Sequence, residues 1–188
     1  MKKLRWMCLA IPPAVSIAMS VVLVQGADAY TLNGCKYPGT SPTIEYKYNS
    51  VGSTYQAAND QGQNAWDASS SPGLFTETTG SDPEINVYDG IFVDSWWALA
   101  SGGCGGGGSW SNDLVELEYN QRTMGGLTAT EKKLVAVHEL GHAYGLAHTS
   151  SSCAGPAVMH SDPTHVYDNC GSSSAPYADD VSGVNTIY

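Results

Sequence analysis

No histidine precedes His138, no Cys-x-x-Cys pair occurs, and only one long apolar run is present, at the very start of the chain. Each absence excludes something. Without Cys-x-x-Cys spacing a thiolate metal site has no support, and without a second apolar run the bulk of the chain has no membrane-spanning segment. Positive charge is also scarce, with 8 Lys and Arg against 18 Asp and Glu in 188 residues. An acidic balance of this kind argues against nucleic acid or anionic lipid as partners. No internal repeat and no second domain is visible in the sequence.

The apolar run reads as a secretory signal. Met1-Lys2-Lys3-Leu4-Arg5 is a short positive region, Trp6 to Val24 is mostly apolar, and Ala27-Asp28-Ala29 has the small-x-small form of a cleavage site. An uncleaved anchor is the competing reading, but Pro12-Pro13 breaks the run and Ala14 to Val24 is short for a span of about 20 residues. Residues 1–29 are therefore expected to be removed, leaving one domain at 30–188, soluble, exported to the extracellular space and monomeric. The remainder keeps five Lys and Arg against 17 acids, a net charge of −12.

Cys8 leaves with the signal, and four cysteines stay: Cys35, Cys104, Cys153 and Cys170. An even number in an exported chain reads as two disulfides, with three pairings open. Cys153 with Cys170 closes a short loop and is favoured, which leaves Cys35 with Cys104.

Thr43-Ile44-Glu45-Tyr46-Lys47-Tyr48-Asn49 alternates as a half-buried strand. From an N-cap at Ser53 or Thr54 to about Ala68, Tyr55, Ala58, Gly62, Ala65 and Trp66 recur at helical spacing, with Gly62 a weak point. Leu74 to Thr79, Ile85 to Tyr88 and Leu114 to Tyr119 read as further strands. Ser101 to Ser109, mostly glycine, reads as a flexible surface loop tethered by Cys104. Thr128-Ala129-Thr130-Glu131 matches a capping box and should start a helix. Strand, helix, strands, helix is the order of an α+β domain.

That last helix carries His138-Glu139-Leu140-Gly141-His142-Ala143-Tyr144-Gly145-Leu146-Ala147-His148, which contains H-E-x-x-H extended by x-x-G-x-x-H. At about 100° per residue, His138 and His142 lie roughly 40° apart, one turn apart on one face. Two imidazoles so placed can reach one Zn²⁺ at about 2.0–2.1 Å. Gly145 lets the chain turn out of the helix and return His148 as a third ligand. Three neutral imidazoles leave a fourth tetrahedral position open to water, as in catalytic zinc sites. Glu139, beside the ligand face, is placed to act on that water as a general base rather than to ligate.

With these residues in view, the sequence resembles the metzincin clan of zinc endopeptidases, and within it a matrixin-like (matrix metalloproteinase-type) catalytic domain. The resemblance implies a twisted, mostly parallel sheet with an antiparallel edge strand and two to three helices. It implies a cleft with zinc on its floor, and an edge strand that pairs with extended substrate, assigned here to Leu114–Tyr119. Ala157-Val158-Met159 stands where metzincins place a methionine turn, so Met159 is the candidate for it. Asp179 to Tyr188 resembles the closing helix of matrixins.

There are departures. Thr149 follows the third histidine where matrixins have serine, and His160 follows Met159 where they usually have tyrosine. With no histidine before His138, the family's second, structural zinc site is absent or replaced. Calcium ligands cannot be carried over, and Asp89, Asp94 and Asp113 are candidates by position alone. Asn33-Gly34-Cys35-Lys36-Tyr37-Pro38-Gly39 faintly resembles the segment whose thiolate blocks the zinc in latent matrixins; that use would leave three cysteines unpaired.

The expected function is that of a secreted zinc endopeptidase acting on extended polypeptide. A zinc-holding binding module on the same fold is the main alternative, and the intact Glu139 counts against it. A hydrolase of cell-wall peptide crosslinks is the other, since pocket shape decides substrate.

Overall fold

The computed structural model describes residues 30–170 and 173–188. The expected signal segment 1–29, with Cys8, lies outside the described residues.

The alternating segment forms strand β2 (Thr43–Tyr48), with Ile44 and Tyr46 buried and the residues between them more exposed. β1 is the short stretch Thr31–Leu32. Helix α1 (Ser53–Asp67) follows β2, and its N-cap is Gly52 rather than Ser53 or Thr54. Tyr55, Ala58, Gly62 and Trp66 make its buried face. Gly62 is no weak point in context: a Cβ there would meet Ala136 Cβ at 3.0 Å, so its bareness lets α1 approach the helix beneath.

β3 (Leu74–Glu77) and β4 (Ile85–Gly90) run parallel to β2, one on each side. β6 (Val115–Asn120) runs parallel to β4, and β5 (Ala98–Ser101) closes the sheet antiparallel to β6. The order is β3-β2-β4-β6-β5, a mostly parallel sheet with one antiparallel edge, as expected of an α+β matrixin-type domain.

The edge itself is not where the sequence reading put it. Of the assigned stretch Leu114–Tyr119, Val115–Tyr119 falls in β6, which pairs with β4 on one side and β5 on the other, and β5 is the antiparallel edge. β5 is four residues of Ala-Leu-Ala-Ser with neither a β-branched residue nor a clear alternation, so nothing local marked it.

The glycine-rich loop after β5 is also more constrained than a free surface loop. Gly105 N donates to Ser109 O at 2.8 Å and Lys36 N to Gly108 O at 3.0 Å. Trp110 is buried at its end, with Nε1 donating to Ala143 O at 2.9 Å.

After β6 come the short α2 (Gln121–Met124) and the long α3 (Ala129–Tyr144), then β7 (Leu146–Ala147), α4 (His165–Cys170) and α5 (Ala178–Ile187). β7 pairs antiparallel with β1 in a small second sheet that was not foreseen. Ile85, Val87, Val115 and Leu117 from the main sheet share one core with Trp66, Leu134, Leu140 and Tyr144 from the helices. Eleven residues of α3 are buried, which is the signature of a helix inside the core rather than on it. Trp66 Nε1 donates to Val137 O at 2.9 Å across the α1–α3 contact.

Cys35 is bonded to Cys104 and Cys153 to Cys170. A cysteine switch at Cys35 is therefore excluded in this structure, because its sulfur is spent on Cys104. No helix among the described residues is long and apolar enough to cross a membrane.

Candidate metal centre and cleft

Helix α3 begins where its sequence says it should. Thr128 Oγ1 accepts from Glu131 N at 3.3 Å while Glu131 Oε2 accepts from Thr128 N at 2.6 Å. Four turns on, the helix ends at Gly145, whose φ of 113° lies in the left-handed region. The turn folds β7 back so that His148 meets His138 and His142.

The three rings converge through one atom each. His138 Nε2 is 3.1 Å from His142 Nε2 and 3.1 Å from His148 Nε2. On a tetrahedral zinc at about 2.0–2.1 Å, two ring nitrogens lie about 3.3 Å apart, so the donor set fits such an ion. The opposite ring atoms are already spoken for. His138 Nδ1 donates to Val158 O at 2.7 Å and His142 Nδ1 to Leu146 O at 2.8 Å. Backbone carbonyls at Nδ1 set the tautomer and leave the Nε2 lone pairs facing inward.

Burial favours the same state. Desolvation, with the neighbouring His142, holds His138 well below the ordinary imidazole range; desolvation brings His142 down to about 4; His148 is lowered by desolvation and by His160. Neutral imidazole is the form that ligates.

Glu139 lies next to this cluster and is buried. Its Oε2 accepts the Ala100 N–H of edge strand β5 at 2.8 Å. Burial pushes its carboxyl up to about 7, and the Ala100 bond works the other way. Together with the histidines it opens on a cleft of about 650 Å³. Its lining includes Trp97, Ala98 and Ala100 from β5 and the residue before it, Val135 from α3, and Ser161-Asp162-Pro163 from the loop after Met159.

Met159 is buried beneath the site, with its sulfur against Gly141 of α3 and its carbonyl accepting Thr149 N–H at 2.9 Å. Asp180, at the start of α5, holds this turn from below: Oδ2 accepts from Val158 N at 2.9 Å and Tyr177 N at 2.8 Å, and Oδ1 from Met159 N at 3.3 Å. Val158 thus links Asp180 to His138. Asp180 received no role from the sequence, although a carboxylate leading into an apolar helix is a usable signal. Asn33 was also missed; its N–H donates to Gly145 O at 2.8 Å and its Nδ2 to His142 O at 3.0 Å, backing the turn that carries His148.

His160 and His165 stack on each other, centroids 4.5 Å apart, outside the three-histidine cluster. Asp89, Asp94 and Asp113 do not assemble. Among the described residues the one group of three or more His, Cys, Asp or Glu able to share a metal is His138, His142 and His148. Asp89 Oδ2 is taken up instead by Gln121 Nε2 at 2.9 Å and Gly52 N at 3.2 Å, so calcium has no support there.

Two variants report on these supports. In Gly145→Ala, the new methyl would collide with the Cys35 carbonyl while holding a left-handed backbone. A loss of about 3 kcal/mol and weakened metal retention are expected, read by urea unfolding and by zinc analysis after dialysis. Wild-type stability would refute this account of the turn. Asp180 is raised to about 6, chiefly by burial, from an ordinary value near 4. Its folded-state proton is held more tightly, so its contribution is full below about pH 4 and is lost as pH rises through about 6. The stability of wild type relative to Asp180→Asn should therefore fall between pH about 4 and 7, by up to about 3 kcal/mol. A flat difference in denaturant unfolding across that range would contradict it.

Among solved structures, the fold is similar to a chain titled "GM1 bound form of the ECX AB5 holotoxin", with a TM-score of 0.55 over 85% of this chain and 88% of that one. The two are 12% identical, a likeness of fold alone. No curated protein matches the chain. The matrixin family (peptidase M10), however, matches residues 44–188, from β2 through the histidine cluster to the C-terminus. With that match spanning most of its length, the chain belongs to the matrixin family.

Proposed function

We propose that this protein is a secreted zinc metalloendopeptidase that cuts extended polypeptides. The observation that carries the reading is the convergence of three imidazole Nε2 atoms beside a buried carboxylate, in a cleft bordered by an unpaired sheet edge. His138, His142 and His148 would hold the zinc. When bound, zinc supplies a Lewis acid that polarises the scissile carbonyl.

The rest falls to the chain. β5 has β6 on one side only, so its free edge can add an extended substrate as a further strand. Glu139 Oε2 is engaged by Ala100 N–H, which leaves Oε1 to take a proton from the attacking water and pass it to the leaving amine. The carbonyls of Val158 and Leu146 keep two imidazoles neutral and aimed.

Two disulfides and the absence of a membrane-crossing helix among the described residues are compatible with export, and a monomer acting on polypeptide completes the proposal. The test is incubation of residues 30–188, produced under oxidising conditions, with casein, with and without a zinc chelator, together with zinc analysis. Cleavage that stops with chelator and returns with zinc is expected. Zinc bound without cleavage would favour a non-catalytic binding module, and no zinc at all would overturn the reading of the cluster.

A further inference from the structure

The cleft has a charge pattern of its own. None of its lining residues is Lys or Arg, and each cation of the described chain donates to an oxygen of a residue outside that lining. Lys36 Nζ donates to Ile187 O at 3.0 Å, Lys47 Nζ to Gly80 O at 2.9 Å and Lys133 Nζ to Ser174 Oγ at 3.1 Å. Arg122 and Lys132 donate to the carbonyls of Val93 and Leu127. Apart from the histidines, the titratable side chains lining the cleft are therefore carboxylates.

Two carboxylates line the cleft, and Glu139 already accepts from Ala100 of β5. The other is Asp162, in the Ser161-Asp162-Pro163 stretch of the lining. It is exposed but held in place: Oδ1 accepts from Thr164 N and from Thr164 Oγ1, both at 3.1 Å, and its own N–H donates to His160 Nδ1 at 3.0 Å. These bonds leave Oδ2 for a ligand. Its chain neighbour Pro163 is an apolar part of the lining, and Val135 is another. Apolar lining together with a carboxylate suits a side chain with an aliphatic stem and a cationic head. A purely apolar side chain would strip water from the carboxylate without replacing it, and an acidic one would meet like charge.

We propose that the cleft selects polypeptides presenting a lysine or arginine beside the scissile bond, with Asp162 as the residue that reads the cation. The proposal rests on the endopeptidase reading and names its substrate class.

The test uses matched peptides built on a cleavage site mapped in casein. Lysine, norleucine or glutamate is placed in turn at each position flanking the scissile bond, and lysine against norleucine isolates the charge. At one position the wild type should prefer lysine over norleucine by about fivefold in kcat/KM, the size expected of a solvent-exposed ion pair. That ratio should shrink with added salt. It should fall to about one in Asp162→Asn, whose amide oxygen can still accept from Thr164, and reverse toward glutamate in Asp162→Lys. A ratio of one at every position in the wild type, or the same ratio in wild type and Asp162→Asn, overturns the proposal while leaving the endopeptidase reading intact. Should the wild type cut nothing, that reading fails. The same comparison is then made by fluorescence anisotropy on the zinc-loaded protein, where equal binding of the lysine and norleucine peptides overturns the role of Asp162 and tighter lysine binding that is lost in Asp162→Asn supports it.

Discussion

Glu139→Gln should lower polypeptide turnover by about a thousandfold and leave the zinc content of the protein unchanged. The amide is nearly isosteric, and its oxygen can still accept the Ala100 N–H that Oε2 accepts now. What it cannot do is take a proton at the second oxygen, and general acid–base transfer is worth roughly 10²–10⁴ in rate. The imidazoles of His138, His142 and His148 are untouched, and the first two are aimed by the carbonyls of Val158 and Leu146 rather than by Glu139. Steady-state cleavage of a fluorogenic peptide, alongside metal analysis of the same preparation, checks both halves. Turnover within tenfold of the wild type would remove Glu139 from the mechanism. A fall in zinc content would mean that the carboxylate supports the metal instead.

Removing the Cys35–Cys104 bond by the double change to serine should cost about 4 kcal/mol in the chain-entropy account, because the bond closes a loop with a sequence separation of 69. The same measurement on Cys153 and Cys170, separated by 17, should give about 3 kcal/mol. The longer bridge should also affect the metal. It ties down Cys35, whose carbonyl lies against Gly145, two residues from Asn33, which donates to Gly145 O and His142 O. Without it the segment from Thr31 to Tyr37 loses its one covalent tie and keeps only hydrogen bonds and the packing of Tyr37 in the core, and zinc should be lost more readily to a chelator. Urea unfolding and the rate of zinc release read the two effects. Unchanged release with lowered stability would confine the bond to a global role.

Much of the site was legible because its geometry is local. His138 and His142 are one helical turn apart, and the helix is announced by Thr128 and Glu131 at its start and Gly145 at its end. His148 follows within the turn that Gly145 permits, so no long-range contact is needed to specify it. The strands β2 and β4 were legible for the same kind of reason, an alternation of buried and less buried residues at period two. The mostly parallel sheet was an implication of the family likeness, and the strand order answers it.

The edge strand was not legible. β6 has the strong strand pattern and β5 the weak one, and local strength points to the wrong strand for the edge. A strand becomes an edge by what lies beside it, which is a property of the sheet rather than of the segment. The glycine run shows the opposite error, since its composition says loop while Gly103, Gly105 and Gly108 hydrogen-bond to Ser111, Ser109 and Lys36.

By itself, then, the sequence determined the chemistry that depends on spacing along one helix and one turn: three imidazoles able to meet and a carboxylate next to them. Tertiary structure alone decided what surrounds them. It brought Ala100 from β5 to Glu139, Asp180 from α5 to Val158 and Met159, Asn33 from the N-terminal segment to the turn at Gly145, and Asp162 to the cleft lining. The physical reason is range. A helix fixes neighbours by its own backbone period, whereas contacts between distant segments exist only once the core has closed and no short window of sequence encodes them.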